Sequence, residues 1–160
     1  MTTPKIKIRR VAVEKILPLR HRILRADLPP ESAHFDGDEA EKTLHWAALT
    51  DATSSRAGEE VVGCLSLMLN SFNAEPAWQL RGMAVDEQHQ RHGVGQELMR
   101  RAEEAAAAEG NAGWLWCNAR TPAAAFYQKQ GWTVVSEVFE IPTAGPHVKM
   151  SKKLKCPKPR

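Results

Sequence analysis

Apolar and polar residues alternate at Ile6 and Ile8, and the pattern blurs into Val11 and Val13, which predicts a first strand with an indistinct far end. From Pro18 the period becomes helical. Leu19, Ile23 and Leu24 share one side, Arg20, Arg22 and Arg25 spread around the other, and Leu28-Pro29-Pro30 stops the element. Residues 44–49 and 61–69 have the composition of two strands, joined across residues 51–60 by a polar hairpin connection. Residues 79–85 make a fourth strand. The helix behind it places Val94, Leu98, Ala102, Ala105 and Ala106 on one stripe and Gln96, Arg100, Glu103 and Ala107 opposite, so its apolar face must pack on a sheet.

Gly110 and Gly113 bracket the end of that helix, and Trp114-Leu115-Trp116-Cys117 is an apolar run suited to a strand covered on both faces. Strand, helix, strand predicts a parallel pair with a right-handed crossover. A short helix follows, with Thr121 as N-cap, Pro122 at its first position and Gly131 past its end. Residues 134–140 and 147–154 then form two closing strands around Pro142-Thr143-Ala144-Gly145-Pro146. The expected fold is α/β, a mixed central sheet with antiparallel N-terminal strands, a parallel pair in the middle and a C-terminal hairpin, flanked by helices. Residues 1–154 make one domain and residues 155–160 a basic tail.

With 160 residues and 42% hydrophobic composition, one domain with its own core is the expected organisation. The net charge of +3 comes largely from Lys152, Lys153, Lys155, Lys158 and Arg160, which leaves a slightly acidic body. Nucleic acid is therefore not an expected partner. The start lacks a continuous apolar region and no stretch approaches a membrane span, so the expectation is a cytoplasmic protein without a membrane partner. Cys64, Cys117 and Cys156 are odd in number and widely spaced, which suits reduced core thiols and no metal site.

Chemistry gathers at Gln90-Arg91-His92-Gly93-Val94-Gly95, between the fourth strand and its helix. Glycines allow close backbone approach, and the unpaired N–H groups of a helix's first turn attract anions. Arg91 and His92 add donors, so a pyrophosphate is the natural guest. On these six residues alone, a glycine-containing turn into an amphipathic helix is an equal reading. The loop lacks the Lys-Ser/Thr of a P-loop and the acidic residue of a dinucleotide fingerprint, which argues against a nucleotide.

The arrangement resembles the GNAT superfamily of acyl-CoA-dependent N-acyltransferases. Residues 90–95 satisfy its pyrophosphate loop, Gln/Arg-x-x-Gly-x-Gly/Ala, directly after Leu80-Arg81-Gly82-Met83-Ala84-Val85. Asn118-Ala119-Arg120 through Phe126-Tyr127-Gln128-Lys129-Gln130-Gly131-Trp132 is similar to its Asn-x(n)-Phe/Leu-Tyr-x-x-x-Gly-Phe block, with Trp in place of the usual Phe. Residues 19–25 and Gly145-Pro146-His147 further resemble the ElaA-like bacterial branch. The resemblance implies acetyl-CoA as co-substrate and transfer of an acetyl or short acyl group to a primary amine. Met83, Ala84 and Val85 would offer backbone groups to the pantetheine arm, with an N–H near Ala84 or Val85 as oxyanion donor. Arg91, His92, Gly93, Val94, Gly95 and Gln96, with Gln90 at the start of the motif, would wrap the pyrophosphate, and Asn118 and Phe126 would line the arm. A bulge in the fourth strand is also implied.

By the same resemblance Tyr127, the single tyrosine of the chain, matches the residue that serves as general acid toward the departing sulfur. No carboxylate stands where many relatives place a base. His147 is the candidate instead, because imidazole changes charge near neutral pH, against the alternatives of a structural histidine at a turn or a water chain. The acidic segment with Asp36 and Asp38 would steer a cationic amine, whereas Arg81 would anchor an acceptor carboxylate. Both remain open, for a small molecule or a peptide, and so does a homodimer. The reading from another functional class is a catalytically degenerate acyl-CoA-binding module.

Overall fold

The computed structural model describes residues 5–51, 59–110 and 112–154. The tail, residues 155–160, with Cys156, and residues 52–58 of the expected hairpin connection lie outside them. The elements are β1 (Ile6–Arg10), α1 (Val13–Leu24), β2 (Leu44–Asp51), β3 (Glu59–Leu69), β4 (Ala77–Val85), α2 (Val94–Glu109), β5 (Trp114–Arg120), α3 (Ala124–Lys129), β6 (Thr133–Val134), β7 (Phe139–Ile141) and β8 (Gly145–Lys153). This is the expected α/β fold with a mixed sheet. The chain packs as two compact units, Met1–Met68 with Gly82–Ala102, and Leu69–Arg81 with Glu103–Arg160, so β4 contributes to both.

In the first unit the strand order is β1-β2-β3-β4, antiparallel from β1 to β3. Alternation along the strands sorts their side chains between two helices. Ala47, Leu49, Cys64 and Ala84 pack with Val13, Ile16 and Leu19 of α1. Gly63 faces α2 so closely that an added Cβ would stand 3.0 Å from both Val94 and Leu98. Any larger residue there would push the helix off the sheet.

Two sequence expectations fail at α1. The helix starts at Val13, not Pro18, so Val11 and Val13 do not belong to the first strand. Its N-cap, Ala12, makes no side-chain bond, which leaves no capping signal in the sequence. Pro18 sits inside the helix with its ring exposed, and the exposed Glu14, whose carbonyl it leaves unpaired, can be solvated there. Arg20, expected on the polar side, is fully buried instead.

Arg20 is buried because its planar fork finds partners on several sides. It donates from Nη1 to the Ala33 carbonyl (2.8 Å) and to Asp38 Oδ2 (2.6 Å), and from Nη2 to Ser66 Oγ (2.9 Å). Phe35 covers the guanidinium, 4.2 Å from ring centroid to Cζ. His45 completes the cluster, with Nε2 2.8 Å from the Asp38 carbonyl and Nδ1 2.5 Å from Ser66 Oγ. His45 donates from Nε2 to the Asp38 carbonyl, and Ser66 Oγ accepts from Arg20 while bonding to the second ring nitrogen. Asp38 also accepts from the Phe35 N–H at 2.7 Å. The expected free acidic rim thus loses Asp38, whose charge is matched inside, while Asp36 is exposed.

In the second unit the order is β4-β5-β8-β6, with β7 also on β8. β4 and β5 form the expected parallel pair over only three positions, Ala77–Trp114, Trp78–Leu115 and Gln79–Trp116. β5 and β8 pair antiparallel along all seven residues of β5. The strand expected over residues 134–140 is two short pieces. Between them Ser136 Oγ accepts from the Lys149 N–H at 2.8 Å, replacing a ladder bond with a side chain. Thr121 is not a side-chain N-cap either: residues Thr121–Ala123 form a 3-10 turn without one, and α3 follows. Gly131 does supply the left-handed residue past the helix end, at φ +93°.

The Arg20 cluster yields a stability prediction. Asp38→Ala leaves a guanidinium buried beside unbalanced donors, and urea denaturation should show a loss of about 3–5 kcal/mol.

Candidate active site

The glycine loop belongs to the first unit and is held from both ends. At its start the Asp86 N–H donates to the Val62 carbonyl at 2.8 Å, and Asp86 Oδ1 accepts from the Gln88 N–H at 3.2 Å, capping a turn over Glu87–His89. Gln90 Nε2 then reaches back to the Val85 carbonyl at 2.9 Å. The motif's glutamine therefore ties the loop to the end of β4. Arg91 (φ +67°) and Gly93 (φ +81°) are both left-handed, and this reversal turns the chain into α2.

The first intrahelical bond of α2 runs from the Glu97 N–H to the Gly93 carbonyl at 3.0 Å. The N–H groups of Val94, Gly95 and Gln96 precede it and have no acceptor within the helix, and Gly93 has no side chain to cap them. Val94 is buried and anchors the turn, while Gln90, Arg91, His92, Gly93 and Gln96 are exposed. One acid, Glu97, stands in the first turn. Arg100 Nε donates to it at 3.0 Å, and this bond holds its carboxyl below the usual range while offsetting its charge. The loop therefore presents donors and positive charge, which fits a diphosphate.

β4 carries the implied irregularity at Gly82, whose φ of +62° lies in the left-handed region inside a strand. A Cβ there would stand 2.7 Å from Arg20 Nε. Glycine is required on both counts. Met83 and Val85 are half-buried and Ala84 is buried, on the stretch after the pairing with β5 has ended. Arg81 is half-buried just before the irregularity.

In the second unit Tyr127 lies on α3, buried, in edge contact with Phe126 (5.5 Å, 81°) and Trp132 (5.3 Å, 66°). Its hydroxyl is hydrogen-bonded to the Cys117 thiol. Burial, and then Cys117, push the phenol well above its ordinary range, so it stays protonated. Burial likewise pushes Cys117 and, in the first unit, Cys64 up to about 12, so both are inert thiols. Sequence reasoning assigned Cys117 no chemistry, and only its register on β5 brings it to Tyr127.

Asn118 follows Cys117 on β5 and projects from the opposite face, exposed. Asn118 and Tyr127 are thus not brought to one face of the strand. The pairing of that strand with β4 ends at Trp116. His147 is buried at the start of β8, opposite Arg120 in register, with its ring 6.2 Å from that of Phe139. Its Nδ1–H donates to the Gly145 carbonyl at 2.8 Å. The turn role is therefore real, and Nε2 is the nitrogen left to accept a proton.

Among the described residues no group of three or more His, Cys, Asp or Glu side chains is placed to hold a metal ion, and no helix is long and apolar enough to cross a membrane.

The Acetyltransferase (GNAT) family matches residues 13–132. The uncharacterized N-acetyltransferase YitI of Bacillus subtilis (strain 168) is 31% identical over 156 residues, covering 94% of this chain and 97% of that protein. Among solved structures, Escherichia coli ElaA superposes with a TM-score of 0.71 at 19% identity, over 94% of this chain and 99% of its own. An aminoglycoside 6'-N-acetyltransferase complexed with coenzyme A gives 0.69 at 16% identity, over 96% of this chain and 99% of its own. At such identities the structures establish the fold.

Gly93→Ala tests the loop. An added Cβ meets nothing within 4 Å, so the substitution acts through backbone strain alone. Urea denaturation should show a loss of about 1–2 kcal/mol, and calorimetry a weaker affinity for coenzyme A. An unchanged affinity would take the loop out of the site.

Proposed function

The chain belongs to the acetyltransferase (GNAT) family, and we propose that it moves an acetyl or short acyl group from acyl-CoA to a primary amine by direct attack in a ternary complex. The observation that carries this reading is the α2 start. Three helix N–H groups that have no acceptor within the helix follow a left-handed Arg91 and Gly93, beside two exposed basic side chains. A diphosphate supplies acceptors for all of them at once.

Acyl-CoA supplies an activated thioester when bound. Arg91, His92, Gly93, Val94, Gly95 and Gln96 hold the diphosphate, with Gln90 fixing the loop on Val85. Met83, Ala84 and Val85 offer main-chain groups to the pantetheine, and an N–H of Ala84 or Val85 polarises the thioester carbonyl. Asn118 and Phe126 contact the same arm. Tyr127 donates a proton toward the leaving sulfur, the role that its place in the Phe126-Tyr127 block implies. His147 takes the amine proton on Nε2, because Nδ1 is committed to Gly145.

The deciding experiment combines calorimetry with coenzyme A and release of free thiol from acetyl-CoA across a panel of amines. Heat with no thiol release for any amine would identify a binding module instead. Tyr127→Phe keeps both aromatic edge contacts and removes the hydroxyl. Its kcat should fall about ten-fold or more while coenzyme A affinity stays close to wild type, at the lower edge of what a general acid contributes.

His147→Gln removes the nitrogen proposed to accept the amine proton, so kcat/KM should fall about ten-fold or more and its pH profile should differ from wild type. A profile identical to wild type would exclude His147 as the base.

A further inference from the structure

Strand alternation divides β5 and β8 into two faces of different character. Leu115, Cys117 and Ala119 pair in register with Lys152, Met150 and Val148 on the face that Tyr127 packs against. There Lys152 is balanced by Glu103, 3.2 Å away, and donates to the Gln130 carbonyl. The other face holds Trp116, Asn118 and Arg120, paired with Ser151, Lys149 and His147. Neither strand contains an Asp or Glu.

Lys149 is the telling residue on that second face. Its ammonium stands 5.1 Å from the Trp116 ring centroid. The indole is itself fixed, by a bond from Nε1 to the Asn70 carbonyl (2.8 Å) and by stacking on Phe72 (5.7 Å, 23°). Among the described residues no carboxylate pairs with Lys149. A half-exposed cation held over a rigid ring keeps its charge and loses little side-chain freedom on meeting an anion. Asn118 lies directly opposite it, exposed, and adds amide donors.

His147 and Lys149 are two positions apart on one strand, so they project from the same face about 7 Å apart. We propose that this face of β5 and β8 binds the carboxylate of the acyl acceptor through Lys149, beside the Asn118 assigned to the pantetheine arm, so that the acceptor is an amino-acid-like molecule with its amine and carboxylate on the same or neighbouring carbons. The proposal rests on the acyltransfer reading with His147 as base. A polyamine has no anion to place there, and the one acid of the 36–38 segment that is fully buried is already matched by Arg20. Lys149 thus favours a carboxylate-bearing acceptor over a purely cationic one.

The test compares amino acids with their amides, which keep the amine and remove the negative charge, with acetyl-CoA as donor. Wild type should favour the carboxylate by about ten-fold or more in kcat/KM, the scale of one charge-assisted bond. Lys149→Gln should bring that ratio toward one through KM, Lys149→Glu should invert it, and Lys149→Arg should retain it. Amides used as well as acids by wild type, or a ratio unmoved in Lys149→Gln, would overturn the carboxylate site while leaving acyl transfer intact. If no amine is acylated, the acyltransfer reading fails separately, and titrating the same amino acids into the coenzyme A complex decides the site. Binding that weakens about ten-fold in Lys149→Gln supports it, and no binding or equal binding removes it.

Discussion

A main-chain N–H or C=O that leaves its ladder must find another partner, and this constraint is concentrated where β4 ends and α2 begins. Pairing of β4 with β5 stops after three positions, and Gly82 then turns left-handed. The chain supplies its own partners for part of what is exposed. Val62 accepts from the Asp86 N–H, and the Gln90 amide covers the Val85 carbonyl. What remains at the helix start is donors alone, on Val94, Gly95 and Gln96. A surplus of donors suits an acceptor-rich guest, and this is the physical basis on which the loop is proposed to hold a diphosphate.

A second constraint acts inside the first unit. A buried guanidinium needs a matching charge and partners for its terminal donors, and through Nη1 and Nη2 Arg20 meets Ala33, Asp38 and Ser66 at once. Those contacts link α1, the segment around residues 33–38 and β3, with His45 of β2 closing the set. The same guanidinium lies against Gly82, where no side chain fits. The irregularity of β4 and the buried ion pair therefore support each other: a Cβ at position 82 would disturb Arg20, and Arg20 holds Asp38 away from solvent.

The chemistry of the second unit is organised by which way a strand residue points. Cys117 and Asn118 are neighbours in sequence, yet one meets the buried Tyr127 hydroxyl and the other faces outward beside Lys149. A neutral phenol in an apolar environment and a cation over an indole are thus served by adjacent residues of one strand. Each face of β5 keeps its own electrostatic character because the strand separates them.

Much of this was legible in the residues. Strand-type composition gave β2, β3 and β4, the 3.6-residue period gave the stripe of α2, and the glycine motif fell on the turn it implied, because those signals are local. The start of α1 was hidden, since Ala12 carries no capping side chain and Pro18 sits in a helix interior where its ring faces water. The fate of Arg20 and Asp38 was hidden too. A charged residue on a helix is ordinarily solvated, and only partners 13 to 46 residues away in the chain, converging in three dimensions, made burial the lower free energy. Sequence alone determined which groups could bind a diphosphate, because backbone geometry at a glycine turn is set locally. The tertiary structure decided which charges remain available and which face each one serves, because strand register and long-range pairing are properties of the whole packed chain.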